Sequence, residues 1–245
     1  MVKSTLYEHK EHISIIKRTS MHDAHQKHDP QIQKIYLILI NLVFLNASYD
    51  MRTTTTVYCI CLSRIIYLGL GNYTLAIPYL DKALATDPNF QDALYDKGDA
   101  LYNLGNYTQA IPYLDKALAI DPNDKYALND VGRSLNSLGK YKEAITYFDK
   151  ALAIDPRYKD ALGNKGDALN DVGEYKEAIT YFDKALAIDP NDTDVLSHKG
   201  WAVDGLGNYT GSMTYLDKAL SVNPNNKYAS ILKQLILAKH HIAHP

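Results

Sequence analysis

Residue types that could do chemistry are few in this chain. His22, His25 and His28 stand three apart, and His240 and His244 have the spacing of one helical face. Zinc accepts either geometry once further ligands join it. Both groups sit near the chain ends, where exposed histidines are common, so no metal and no cofactor is expected. Cys59 and Cys61 are the two cysteines, and one intervening residue makes a poor disulfide or half a metal site at most. Nucleophilic catalysis of the Ser-His-Asp kind needs a histidine beside a nucleophile, and residues 57–226 contain only His198. The glycines recur in Leu-Gly-Asn and Lys-Gly-Asp segments rather than in a phosphate-cradling loop. Of five Asn-x-Ser/Thr triplets, three repeat one turn sequence, Asn-Tyr-Thr, and all are glycan acceptors only in a secreted chain. The expectation is a protein without catalytic activity and without a small-molecule substrate.

What recurs instead is a phrase. Pro88, Pro122, Pro156, Pro190 and Pro224 fall 34 residues apart, each closing a near copy of LDKALAIDPN. A fixed period of this size marks a stacked repeat, in which each unit buries its apolar face only against its neighbours. Aligning the prolines gives units 57–90, 91–124, 125–158, 159–192 and 193–226, followed by a tail at 227–245. Each unit reads as two helices. In the second, Leu94, Gly98, Leu101 and Leu104 make one helical stripe, and Tyr107, Ala110, Ile111, Leu114, Ala117, Leu118 and Ile120 make another. Gly105 suits the reversal between them, Asn106 offers an N-cap, and Asp121-Pro122 ends the second helix because proline disfavours helical geometry in the residue before it. Pro78 and Pro112 lie inside second helices, where each removes one backbone bond and is expected to bend the rod. The tail places Tyr228, Ile231, Leu232, Leu235 and Ile236 on one face, as expected of a helix that closes the array.

Bulk composition agrees with a folded protein: 46% of residues are apolar and 22% charged, with a net charge of -2. Residues 1–56 hold seven Lys and Arg against five Asp and Glu, which leaves 19 against 23 for residues 57–245. Mildly acidic repeats argue against a nucleic-acid partner held through phosphates. Residues 1–56 read as a poorly ordered or loosely helical extension. Within it the apolar run 35–45, IYLILINLVFL, is shorter than the roughly 20 residues a spanning helix needs. A signal-like reading competes there with a buried or capping helix, and a cytoplasmic location is expected over membrane association or export.

The repeats resemble the tetratricopeptide repeat family. The pattern is carried by Gly98, Leu101, Gly105, Tyr107, Ala110, Leu114, Ala117 and Pro122. It returns as Gly132, Leu135, Gly139, Tyr141, Ala144, Phe148, Ala151 and Pro156, and again as Gly166, Leu169, Gly173, Tyr175, Ala178, Phe182, Ala185 and Pro190. The resemblance implies an all-α, right-handed superhelical solenoid of about five helix-turn-helix repeats with a C-terminal capping helix. Three departures stand out. Lys97, Lys165 and Lys199 occupy a leucine-like position, so their stems are expected over the core with the ammonium groups outside. Arg64 replaces a small residue in the first unit, which reads as degenerate. Gly211-Ser212 weakens the last second helix.

The resemblance further implies a scaffold that binds a peptide or protein segment in a concave groove lined by the first helices. The matching positions are Asp92, Tyr95, Asp99 and Tyr102; Tyr126, Asn129, Arg133 and Asn136; Asp160, Gly163, Asp167 and Asn170; and Asp194, Ser197, Trp201 and Asp204. Tyr95, Asp99, Tyr102, Asn129, Arg133, Asn136, Asp167, Asn170 and Trp201 are the candidates for partner contact. Aspartate dominates this set, so a partner with basic character is expected. The competing assignments are an envelope assembly factor tethered through residues 35–45 and a regulatory partner of a separate enzyme.

Overall fold

The computed structural model describes residues 71–243. The extension at 1–56 with its apolar run, Cys59, Cys61, Arg64, the histidines at 22, 25 and 28, and His244 lie outside the described residues. Among the described residues ten helices follow one another: α1 (Tyr73–Thr86), α2 (Gln91–Asn103), α3 (Tyr107–Ile120), α4 (Lys125–Ser137), α5 (Tyr141–Ile154), α6 (Lys159–Asp171), α7 (Tyr175–Ile188), α8 (Thr193–Gly205), α9 (Tyr209–Val222) and α10 (Lys227–Ala243). Contacts divide the chain into two compact units, residues 1–104 and 105–245. Helices α1 and α2 belong to the first and α3 to α10 to the second. In the first unit Ala76, Leu80 and Ala83 of α1 are buried against Ala93 and Ala100 of α2.

Helix ends follow from local chemistry. Gly139 has φ 74° and Gly173 φ 84°, left-handed values that cost glycine least. Around Gly139 the Lys140 N–H donates to the Leu135 carbonyl at 2.9 Å and the Gly139 N–H to the Asn136 carbonyl at 2.9 Å, so two orphan carbonyls of α4 are satisfied. At the other reversal the residue before each proline is extended: Asp121 has φ -124° and ψ 95°. Its carboxylate then accepts the Asn123 N–H at 3.0 Å, a local turn that Asp155 and Asp189 repeat at 3.0 and 3.2 Å. First helices start on Asp124 and Asp192, each of which caps two backbone N–H groups through its carboxylate. Asn106 differs from its expected role: it holds the N-cap position of α3 but makes no side-chain cap, unlike Asn72 and Asn208. Helices α1 and α3 continue through Pro78 and Pro112 at 14 residues each, the same length as proline-free α5 and α7.

Packing within each pair of the second unit rests on a missing side chain. A Cβ on Gly132 would lie 2.5 Å from Cε1 of Phe148, and one on Gly166 2.6 Å from Cε1 of Phe182. Gly200 admits Leu216 of α9 in the same way, with Cγ 3.0 Å from the site of a Cβ. Phe148, Phe182 and Leu216 are fully buried, and each such burial contributes about 1.5–3 kcal/mol.

The lysines at the leucine-like position correct the sequence reading. Their stems do lie in the core, but the ammonium groups of Lys165 and Lys199 are inside with them, the side chains being 6% and 8% exposed. Lys165 Nζ donates to Asp149 Oδ1 at 2.6 Å and to Tyr181 Oη at 2.7 Å, and lies 4.1 Å from the centre of the Tyr181 ring. Lys199 pairs likewise with Asp183 and sits 4.2 Å from the centre of the Tyr215 ring. Lys233 donates to Asp217 at 2.6 Å, and in the first unit Lys97 pairs with Asp81. Each ammonium is thus held by a carboxylate 16 residues earlier, on the second helix of the preceding repeat. One rung lacks its cation: the equivalent residue is Val131, buried in the core. Partial burial pushes the Asp115 carboxyl up, and Lys150 offsets part of that rise.

Helix α10 closes the array differently from the sequence expectation. It starts 34 residues after α8 and keeps the register of a first helix. Ala229, Leu232 and Ile236 are buried against Leu196, Leu216 and Ala219, but Tyr228, Ile231 and Leu235 stand exposed. The five apolar residues therefore divide between two faces. Where the earlier first helices present Leu and Gly to a second helix, α10 has Ser230 and Gln234.

Two expectations follow. Gly166→Ala should destabilise by about 1–3 kcal/mol in urea unfolding, because the new methyl overlaps a buried ring; a stabilised variant would refute the seating role. Lys165→Met should cost less than about 1 kcal/mol, since Asp149 remains half in water, whereas Asp149→Ala strands a buried ammonium and should cost about 1–3 kcal/mol. Equal costs would contradict this asymmetry.

Candidate partner-binding face

In the second unit the candidate residues fall on α4, α6 and α8 at three positions of the repeat, and short-range bonds join several of them. Asn136 Nδ2 donates to Asp167 Oδ2 at 3.4 Å, and Asp167 Oδ1 lies 2.6 Å from His198 Nδ1. Asn170 Nδ2 donates to the His198 carbonyl at 3.0 Å. Asn129 is buried; its Oδ1 accepts from Asn164 at 2.9 Å, and its amide donates to Asp130. Arg133 reaches Asp130 on its own helix at 3.0 Å. The amides of Asn136 and Asn170 spend their donors in this network while both side-chain carbonyl oxygens stay without a donor. Trp201 projects from α8 and is exposed. Tyr95, Asp99 and Tyr102 belong to the first unit, half-buried on α2, where Asp99 accepts from Asn103 at 2.9 Å.

His198 organises the electrostatics of this face. Burial disfavours its charged form, but the hydrogen bond and charge of Asp167, with Asp194 and Asp171 nearby, win and raise its pKa above the ordinary histidine value. Its ring packs edge-on to Phe182 and lies 4.9 Å from the Tyr228 ring. Burial, with Asp167, Asp171 and Asp194 around it, pushes the Tyr228 phenol up to about 12. Asp167 thus pairs directly with the imidazole, and the charges of Asp171 and Asp194 act on both the imidazole and the phenol. Asp204, also buried, takes its partners from α10: Lys239 at 2.7 Å and His240 at 3.1 Å.

His198, Tyr228, Ile231 and Leu235 had no place in the sequence-derived face. The period itself would have found the last three, because Tyr228, Ile231 and Leu235 are Asp194, Ser197 and Trp201 moved on by one repeat. Among the described residues no helix is long and apolar enough to cross a membrane, and no group of three His, Cys, Asp or Glu could hold a metal ion.

The raised pKa of His198 sets a direction for pH dependence. Its ion pair is fully formed below the unfolded value of about 6.5 and is lost as pH rises through the higher folded value. Stability should therefore fall across that window, and Asp167→Asn should flatten the fall in melting temperature measured against pH. An unchanged slope in that variant would remove the pair from the account.

Comparison with known proteins agrees with this architecture. Two family models, both described as tetratricopeptide repeat, match residues 65–125 and residues 135–195 and 169–236, together more than half of the chain. No curated protein matches the chain. Among solved structures, MamA is 26% identical with a TM-score of 0.57, covering 64% of this chain and 92% of its own. YrrB, described as a TPR protein with an unusual peptide-binding site, is 23% identical with a TM-score of 0.58, covering 71% and 90%. PilF of Pseudomonas aeruginosa is 23% identical with a TM-score of 0.64, covering 78% and 86%. With glycine-seated helix pairs, left-handed glycine reversals and proline-terminated second helices recurring every 34 residues under matching models, the chain belongs to the tetratricopeptide repeat family.

Proposed function

We propose that the protein is a non-catalytic scaffold whose first helices hold a peptide or protein segment in a concave groove, with a preference for segments that carry positive charge. The observation that carries this reading is the convergence of Asp167, Asp171 and Asp194 on His198 beside exposed Trp201. Carboxylates gathered around a single imidazole leave a negative field that a lysine or arginine side chain neutralises, and an exposed indole is a favoured anchor at interfaces. Arg133, the one guanidinium among the candidates, is bound to Asp130. Likeness to YrrB extends to the fold alone, so the partner chemistry rests on this chain's own carboxylates.

Affinity enrichment from native lysate with the full chain, beside an Asp99→Lys, Asp167→Lys variant checked for native circular dichroism, tests the reading. Retained partners should lose about tenfold or more in affinity for the variant, as expected for reversed charge at a contact. Identical partner lists at equal affinity would overturn it.

A further inference from the structure

The C-terminal helix changes the chemistry of the first-helix face. At the register positions that hold Asp160, Gly163 and Asp167 on α6, and Asp194, Ser197 and Trp201 on α8, helix α10 presents Tyr228, Ile231 and Leu235. Ile231 is 55% exposed, Leu235 56%, Tyr228 42% and Trp201 37%. Single exposed apolar residues need no explanation, but these four lie together. Helices α8 and α10 pack against each other, Tyr228 stacks near His198, and Trp201 stands one turn beyond His198 on the same side of α8. They are not the seat of a second helix, because on α6 and α8 that seat is at Leu162, Gly166, Leu196 and Gly200, a register that Ser230 and Gln234 hold on α10.

We propose that Trp201, Ile231 and Leu235, with Tyr228 at their edge, form the anchoring end of the face, and that they take a short amphipathic helix of a partner protein, apolar on one side and flanked by lysine or arginine. The inference rests on the reading above and names the partner class for the same face. Tyr228 and Leu235 lie seven steps apart, about 10 Å of helix, which is the reach of apolar residues at i, i+3 and i+7 on a partner helix. The charge requirement comes from Asp167, whose Oδ1 lies 2.6 Å from His198 Nδ1, and from Asp171 and Asp194, whose charges act on both His198 and Tyr228. A basic flank neutralises these carboxylates while the apolar side covers the indole and the two aliphatic chains.

Trp201 is the sole tryptophan of the chain, so its emission reports occupancy directly. The probe is a synthetic tryptophan-free helical peptide with leucines at i, i+3 and i+7 and lysines at both flanks. Titrated into the full chain, it should shift the emission to shorter wavelength and saturate. A peptide with serines for the leucines, one with glutamates for the lysines, and an Ile231→Ser, Leu235→Ser protein with unchanged melting temperature should each bind about tenfold more weakly or worse. Equal binding by the serine peptide, or by the doubly substituted protein, would overturn the anchor. If Asp167→Lys abolishes binding while the double serine variant binds normally, the acidic face stands and the apolar anchor falls. If both variants bind as the native chain does, both fall. A dimer in sedimentation that Leu235→Ser dissociates would assign the stripe to a second copy of this chain and overturn the heterologous partner.

Discussion

A large side chain seated on a glycine is the contact on which each hairpin of the second unit depends. Phe148 over Gly132, Phe182 over Gly166 and Leu216 over Gly200 fix how closely two helices approach, because the ring or isobutyl group occupies the space a methyl would need. Close packing leaves little slack around such a contact, so spacing and rotation of the two helices are set together. The first helices then present their remaining positions outward at a constant register. Any binding property of that surface is downstream of these seats.

Stacking of one hairpin on the next uses a different device, the buried lysine between an aspartate behind and a tyrosine ahead. Its asymmetry is informative: the ammonium is inside and the carboxylate half outside, so water shares the cost of holding the charge. Val131 shows that the position accepts a plain apolar residue within the same architecture. The ion pairs are therefore a means of setting which helix meets which, more than a large source of stability.

Much of this was legible in the chain because repetition reports packing. Prolines at a fixed interval located every second-helix end, and small residues at constant offsets located the seats. Burial of the lysine ammonium groups was not legible, since their partners are 16 residues back and become neighbours only when hairpins stack. Asn106 failed as a cap for a related reason: a side chain allowed to cap by sequence takes whichever rotamer its surroundings favour. The face itself was half legible. Register named Asp167, Asn170 and Trp201, but not the hydrogen bonds by which Asn136, Asp167 and His198 engage one another, nor the burial of Asn129. Tail residues were read as a single stripe because 3.6-residue periodicity groups neighbours on a wheel, and a helix that packs on one side only can leave half of such a wide stripe in water.

Ser230 and Gln234 carry a consequence for what α10 offers a neighbour. Helix α10 retains the spacing, the Lys233 pair and the buried Ala229 of a first helix, and differs at Ser230 and Gln234, where earlier first helices present Leu and Gly to a second helix. A side chain at the register of Gly166 and Gly200 occupies the volume into which Phe182 and Leu216 reach, so this helix offers a polar ledge where its predecessors offer a socket, and its deep contacts look back toward α8 and α9.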